Sequence, residues 1–432
     1  MIIYRSPFVI CLALEIEIKS HHHVNKKKII NDPIYGFISI PNDLIFDIIE
    51  HRYFQRLRRI RQLGVSDLVY PGANHTRFHH ALGAMHLMGR ALNSLRSKGH
   101  EISNDEFRSA EIAILLHDLG HGPFSHSLEF NLFPGIPHEE ISLWLMENLN
   151  EEFGGQLSLA IKIFTGTYER KFLNQLVSSQ LDIDRMDYLT RDSFFTGVQE
   201  GTIGAERIIK MLNLVNDELV VEEKGIYSIE NFLSARRLMY WQVYLHQASV
   251  SAEVMLTELL SRATALTRFG KQIPATPALA YFLKNKITAN EFQTDHEVIR
   301  NFTLLDDTDI WGSIKHWIHD EEYVLRKLSI QLVDRKLLKV DFLNETTSTA
   351  QIEDMRQKVT DLYGISVSDS AAFVRQGTVS NSAYVSQDQT INILTKSGEV
   401  IDVAHATDLP NIKAMSKIVK KHYLCYPKEL SL

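Results

Sequence analysis

The chain has 432 residues, 44% of them hydrophobic and 23% charged, with a formal net charge of −7. These values exclude a wholly disordered chain and argue against a broad basic surface for nucleic acid, leaving room for a local basic pocket. Only Cys11 and Cys425 are present, which excludes a disulfide framework, and no run approaches the ~20 apolar residues of a membrane-spanning helix. A reducing, cytoplasmic setting is expected.

The first two dozen residues differ from the rest. The apolar run Phe8–Leu14 is too short for a convincing signal peptide and ends in Glu15 and Glu17. After His21-His22-His23 comes Val24, an alternative start, so residues 1–23 read as an extraneous extension. A helical core is then expected over residues 24–286. Asn42 or Asp43 can cap a helix carrying Leu44, Ile45, Ile48 and Ile49 and continuing through Phe54, Leu57 and Ile60 toward Leu63, with Gly64 as its stop. A second helix spans Thr76 to Ser97, with His80, Ala84, Leu87 and Ala91 at helical spacing. Ser103-Asn104-Asp105-Glu106 is a capping-box pattern opening a third helix, which ends at His117-Asp118 before Gly120.

Further helices are predicted at 138–150, 155–164, 170–192, 204–214 and 229–267. Residues 287–432 read as a smaller α+β region. It has a helix from Tyr323 to Leu338 and alternating strands at Leu338–Phe342, Ala383–Val385 and Ile391–Leu394, then a Ser397-Gly398 turn before Val400-Ile401.

Nine of the 19 histidines fall between residues 75 and 138, so their enrichment is local. The densest segment is His117-Asp118-Leu119-Gly120-His121-Gly122-Pro123-Phe124-Ser125-His126. An imidazole beside a carboxylate makes two ligands for a divalent metal, and more are needed to complete a site. His80 on the preceding helix and Asp184 on a later one can converge with His117 and Asp118 on one ion. Two imidazoles and two carboxylates suit Mn, Fe or Zn, with Mg less favoured by the nitrogen ligands. Such an ion lowers the pKa of bound water and neutralises phosphoryl charge. His79, adjacent to a ligand on a helix, points away and is expected to be peripheral.

The ordered set His80, His117-Asp118 and Asp184 resembles the HD-domain metal-dependent phosphohydrolase superfamily. Asn31–Gly36, Phe54–Arg58, Gln62–Gly64, Pro71–Ala73, Arg77–His80, His117–His126 and Asp182–Asp192 extend the likeness. Over residues 28–250 they resemble the deoxynucleoside triphosphate triphosphohydrolases of the sterile-alpha-motif HD-domain type, without the extra domain. The resemblance implies a mainly α fold and release of intact triphosphate from a deoxynucleoside triphosphate. It implies His80, His117, Asp118 and Asp184 as metal ligands, and a catalytic group of His126 as general acid with Glu129 and His138. Arg77, His121, Arg185 and Arg236 match positions that contact phosphates. Gln62, Tyr188, Asp192 and Tyr244 fall at the sugar, with Leu63 against the base.

Asp184, Tyr188 and Asp192 share one helical face, where a carboxylate can bind a 3′-hydroxyl and an aromatic can exclude a ribose hydroxyl. Lys28, Ile29, Glu50, Gln55, Arg58, Arg207 and Lys224 resemble parts of a regulatory nucleotide site, taking GTP or a dNTP, in a homo-oligomer (dimer or tetramer). Glu222 stands there in place of a basic residue. Two other readings compete: an HD-type phosphodiesterase or pyrophosphohydrolase acting on another nucleotide, and a nucleotide-sensing or nucleic-acid-binding scaffold with a structural metal. Neither a P-loop nor a dinucleotide-binding glycine fingerprint is present.

Overall fold

Asp32 shapes the first described element. Its Oδ1 accepts the N–H groups of Ile34 (2.9 Å) and Tyr35 (3.0 Å), and Gly36 takes a φ of +73° that a side chain would resist. The result is a β-hairpin of β1 (Ile29–Asp32) and β2 (Gly36–Ser39), with Ile29 opposite Ser39. The computed structural model describes residues 28–124, 132–381, 390–407 and 419–430; the expected strand at Ala383–Val385 lies outside them.

Asn42 caps α1 (Asp43–Glu50), its Oδ1 accepting the Ile45 N–H at 3.0 Å. The expected continuous helix to Leu63 is broken. His51 takes an extended conformation and its ring accepts the Tyr53 N–H, starting α2 (Arg52–Gln55), and a 3₁₀ turn follows at Arg56–Arg59.

The next two helices follow the expected bounds. In α3 (Arg77–Ser97), the His79 ring accepts the Thr76 N–H (3.2 Å) and so closes the first turn. In α4 (Asn104–Leu116), Ser103 and Glu106 form the reciprocal capping box, at 3.1 and 2.7 Å. A cap of this kind is worth about 1 kcal/mol. Both helices bury most of their length and pack on each other, and Phe78, Leu82, Met85, Leu92, Ile112 and Leu115 all belong to one large core.

Around them lie α5 (His138–Glu152), α6 (Ser158–Phe164), α7 (Lys171–Val177), α8 (Ile183–Thr196), α9 (Ala205–Met211), α10 (Ile226–Met239) and α11 (Gln247–Arg268). Three predicted helices needed correction. The span 170–192 breaks at Ser178–Asp182, because Asp182 accepts the N–H groups of Ser179 (2.8 Å) and Arg185 (2.7 Å) and starts a new helix. The span 229–267 breaks after a π-turn at Tyr240–Tyr244, where His246 accepts the Ala248 N–H. The span 204–214 ends at Met211, and the chain enters a hairpin, β3 (Leu212–Val215) and β4 (Glu218–Glu222). Asn216 and Asp217 at its tip both have positive φ (53° and 60°), as a two-residue type I′ turn requires.

The C-terminal region is mixed α and β, as expected. Strand β5 (Lys339–Leu343) pairs antiparallel with β9 (Val419–Tyr426), which also pairs with β6 (Arg375–Asn381). β7 (Asn392–Leu394) runs parallel to β4 and pairs with β8 (Val400–Asp402). The sheet β3-β4-β7-β8 therefore joins strands from either side of residue 286. The helix predicted from Tyr323 to Leu338 stops at Val333.

Candidate metal and phosphate site

Three helix ends bring the ligand-type residues together. His80 sits in α3, His117 caps the C-terminus of α4, and Asp184 lies in the first turn of α8. The two Nε2 atoms are 3.4 Å apart, and Asp184 Oδ1 lies 3.1 Å from that of His80 and 3.4 Å from that of His117. Asp118 borders this trio, with Oδ1 3.3 Å from His117 Nε2 and Oδ2 3.7 Å from His80 Nε2, and Oδ2 is also paired with Arg77. Donor atoms bound at ~2.0–2.2 Å to one ion stand about 3–3.5 Å from one another, so the His80, His117 and Asp184 donors fit a divalent metal. Asp118 forms a second group with His121 and His138. His121 Nε2 lies 3.3 Å from Asp118 Oδ1, and its ring stacks on His138 at 3.7 Å.

The rings are held from behind. His117 Nδ1 donates to the Ile114 carbonyl (2.6 Å) and His80 Nδ1 to Asp187 Oδ2 (2.8 Å), so both Nε2 atoms face the cluster. Asp187 is gripped by Arg191, whose Nε and Nη2 each donate at 3.0 Å, and Arg191 Nη1 reaches Asp32 Oδ2 at 2.8 Å. A Cβ on Gly83 would collide with this pair, so α3 can pass so close only with glycine there.

The loop after His117 is held as firmly. Buried Arg56 donates to the carbonyls of His121 (2.9 Å) and Leu305 (2.8 Å). Ser142 Oγ donates to the His117 carbonyl and accepts the Gly120 N–H. Asp307 accepts the N–H of Phe124, which has a φ of +52°. No local sequence pattern assigns Arg56, Ser142 or Asp307 to these contacts. The one local signal was the Asp187–Arg191 spacing of four on a helix that already carried Asp184.

Charge within the site is strongly coupled. Burial disfavours a charged His80, yet its bonds to Asp184 and Asp187 outweigh this and raise its pKa to about 10. Asp118 is buried too, but Arg77, His117 and His121 hold it well below the usual carboxylate range. Burial and then Arg77 push His121 well below 6.5, making it a neutral ring rather than a cationic contact.

A metal held through His80 would require that ring neutral, and its uptake would release the ring's proton. A raised folded pKa stabilises below the unfolded value of 6.5, and that stabilisation fades as pH rises through about 10. Metal affinity is therefore expected to climb by roughly tenfold per pH unit between pH 7 and 9, with proton release seen by calorimetry in two buffers. A pH-independent affinity would overturn this assignment.

A cavity of about 420 Å³ opens on the cluster. Of the residues predicted to bind substrate, Gln62, Leu63, Arg77, His121, Arg185, Tyr188, Asp192 and Tyr244 line it, and so does His138. Arg236 does not. It is buried and donates to Gln180 Oε1 at 3.2 Å. His126 and Glu129 lie outside the described residues. His79 caps α3, as a peripheral residue should.

The seven residues compared with a regulatory site are linked in part. Lys28 packs over Phe46, Gln55 accepts from Arg58 (2.8 Å), and Arg207 donates to the Lys224 carbonyl (3.3 Å). Ile29 and Glu50 are exposed. Glu222 pairs with Lys98 and Lys224.

The fold and site define a mainly helical protein that sets imidazoles and carboxylates at helix ends beside a polar cavity. Residues 77–192 match the HD domain, and residues 203–272 match the HD associated region. A solved structure of a phosphohydrolase from Bacteroides thetaiotaomicron is 51% identical, with a TM-score of 0.90, covering 93% of this chain and all of that one. The uncharacterized protein YwfO of Bacillus subtilis is 31% identical over 94% of both chains. A deoxynucleoside triphosphate triphosphohydrolase SAMHD1 homolog from Dictyostelium discoideum is 31% identical over 57% of this chain, which spans about half (51%) of that protein's length. The chain belongs to the HD-domain phosphohydrolase family.

Proposed function

We propose that this phosphohydrolase cleaves deoxynucleoside triphosphates to deoxynucleoside and inorganic triphosphate. The observation that carries the reading is the row Asp184, Tyr188 and Asp192 along one wall of the cavity. At a rise of ~1.5 Å per residue, its two carboxylates start about 12 Å apart along the helix. That span suits a phosphoryl group at Asp184 and a sugar hydroxyl at Asp192. His80, His117, Asp118 and Asp184 would hold the metal, with Mn, Fe or Zn favoured over Mg by the nitrogen ligands. When bound, the ion supplies positive charge beside the phosphoryl oxygens.

Arg77 and Arg185 bring fixed cations to the same cavity for the triphosphate. Tyr188 and Tyr244 flank the sugar, and Tyr188 is the aromatic that would exclude a ribose 2′-hydroxyl. The departing 5′-oxygen needs a proton, for which His126 is the assigned donor, with Glu129 and His138 completing the group. Activation by GTP or a dNTP in a homo-oligomer, through Lys28, Ile29, Glu50, Gln55, Arg58, Arg207 and Lys224, belongs to the same reading.

A screen of all dNTPs and rNTPs with Mn, Fe, Zn and Mg, with and without GTP, tests the proposal by identifying both products. Nucleoside plus triphosphate, from deoxy substrates only, is the expected result. Monophosphate plus pyrophosphate would sink it and favour the pyrophosphohydrolase reading.

A further inference from the structure

Asp192 is held from two sides. Its Oδ2 accepts the Tyr244 hydroxyl at 2.8 Å, and its Oδ1 bonds His75 Nε2 at 2.7 Å. Tyr244 lines the cavity; His75 does not. The His75 ring is fully buried, stacked at 4.5 Å and 18° on Phe195 from the end of α8. Its Nδ1 has no partner among the described residues.

A bare, buried Nδ1 is tolerable as a lone pair but not as an orphaned N–H. With Nδ1 bare, the ring's N–H is on Nε2 and donates to Asp192. The His75 backbone carbonyl also accepts the N–H of Gln62 at 3.0 Å. His75 thus braces the Asp192 carboxylate through its ring and the Gln62 backbone through its carbonyl.

We propose that His75 is a positioning residue for recognition of the substrate 3′-hydroxyl. This rests on the reading of Asp192 as the sugar-binding carboxylate. With Tyr244 and His75 each donating to one oxygen, Asp192 cannot swing, and its remaining lone pairs stay directed at the cavity. A site built to bond a hydroxyl discriminates strongly against an analogue lacking it, provided the bonding group is fixed. His75 touches no substrate and acts only through Asp192.

The test compares a dNTP with its 2′,3′-dideoxy counterpart, which differ only in the 3′-hydroxyl. The ratio of their kcat/KM values is measured with Mn in the wild type and in H75F, H75N and H75Q. The wild type should prefer the dNTP by a large factor. H75F keeps the stack on Phe195 but loses the donor, and the ratio should fall by about tenfold or more through loss on the dNTP alone. H75N, whose amide stops short of Asp192, should do the same and serves if H75F does not fold. In H75Q the amide reaches the Nε2 position, and the ratio should recover.

A merely structural role would depress both substrates equally and leave the ratio intact, and that result overturns the positioning role while Asp192 keeps its own. A wild type indifferent to the 3′-hydroxyl overturns both, whereas release of intact triphosphate would still stand for the reaction.

Discussion

Asp184→Asn is expected to lower kcat by about 10²–10³-fold or more, the scale of losing one preorganised electrostatic group, and to strip the metal. The substitution conserves shape, so α8 and the cavity wall keep their places. It removes the anionic oxygen that, among the described residues, lies closest to both imidazoles, at 3.1 Å from His80 and 3.4 Å from His117. Burial would raise the pKa of this carboxyl, yet bonds from His117 and His80 hold it far below the ordinary range. It is therefore an anion at every working pH, and an amide oxygen is a much weaker ligand for a dication. Losing it should weaken metal binding by more than the ~10–100-fold typical of an outer partner. Metal content after dialysis, turnover and thermal unfolding with and without Mn would measure this. The rise in Tm that added metal gives the wild type should vanish. A D184N protein that retains wild-type metal and activity would remove Asp184 from the ligand set.

The residues that make up the site were readable because they are chemically conspicuous. The pair His117-Asp118 ends an apolar run before glycine, and His80 and Asp184 lie on well-formed helices nearby. What holds them was not readable, because Asp187, Arg191, Arg56 and Ser142 look like ordinary helix residues until packing brings distant segments together. Arg56 lies 65 residues before the carbonyl of His121 that it holds, and no local pattern announces such a contact. His75 carries no such local signal, since its partner Asp192 lies 117 residues further along the chain.

Helix limits show the same division. Ser103 and Glu106 are a local capping signal, and the predicted start at that point matches α4. The breaks at His51 and His246 come from histidine rings accepting backbone N–H groups, a capping role that the usual Ser, Thr, Asp and Asn preference does not flag. Asp182 was a readable cap that uninterrupted hydrophobic spacing overrode. The β3–β4 hairpin also had a signal, since Asn216-Asp217 separates two short apolar runs.

Arg191→Met should destabilise the fold by about 3–5 kcal/mol, the usual scale for breaking a buried ion pair by removing one partner. Arg191 and Asp187 are wholly buried and Asp32 nearly so. Burial opposes ionisation of Asp187, but the Arg191 charge and the His80 bond hold its pKa at about 2. A depressed carboxyl adds stability that is present above its unfolded pKa of ~3.9 and lost as pH falls through about 2. Removing Arg191 forfeits that contribution at neutral pH.

Arg191→Lys should be intermediate, since an ammonium keeps the charge without the two-pronged grip on Asp187. Adding Asp32→Asn to R191M should restore part of the loss. The asparagine oxygen can still accept from Ile34 and Tyr35 in the hairpin turn, and one uncompensated charge disappears. The same variant should weaken metal binding by ~10–100-fold, because Asp187 would no longer be held to orient His80. Denaturant unfolding of wild type, R191M, R191K, D32N and the R191M/D32N double variant, with metal titration of each, separates the two effects. If R191M unfolds at the wild-type midpoint, or if D32N and R191M are simply additive, the buried chain from Asp32 to His80 does not act as a unit.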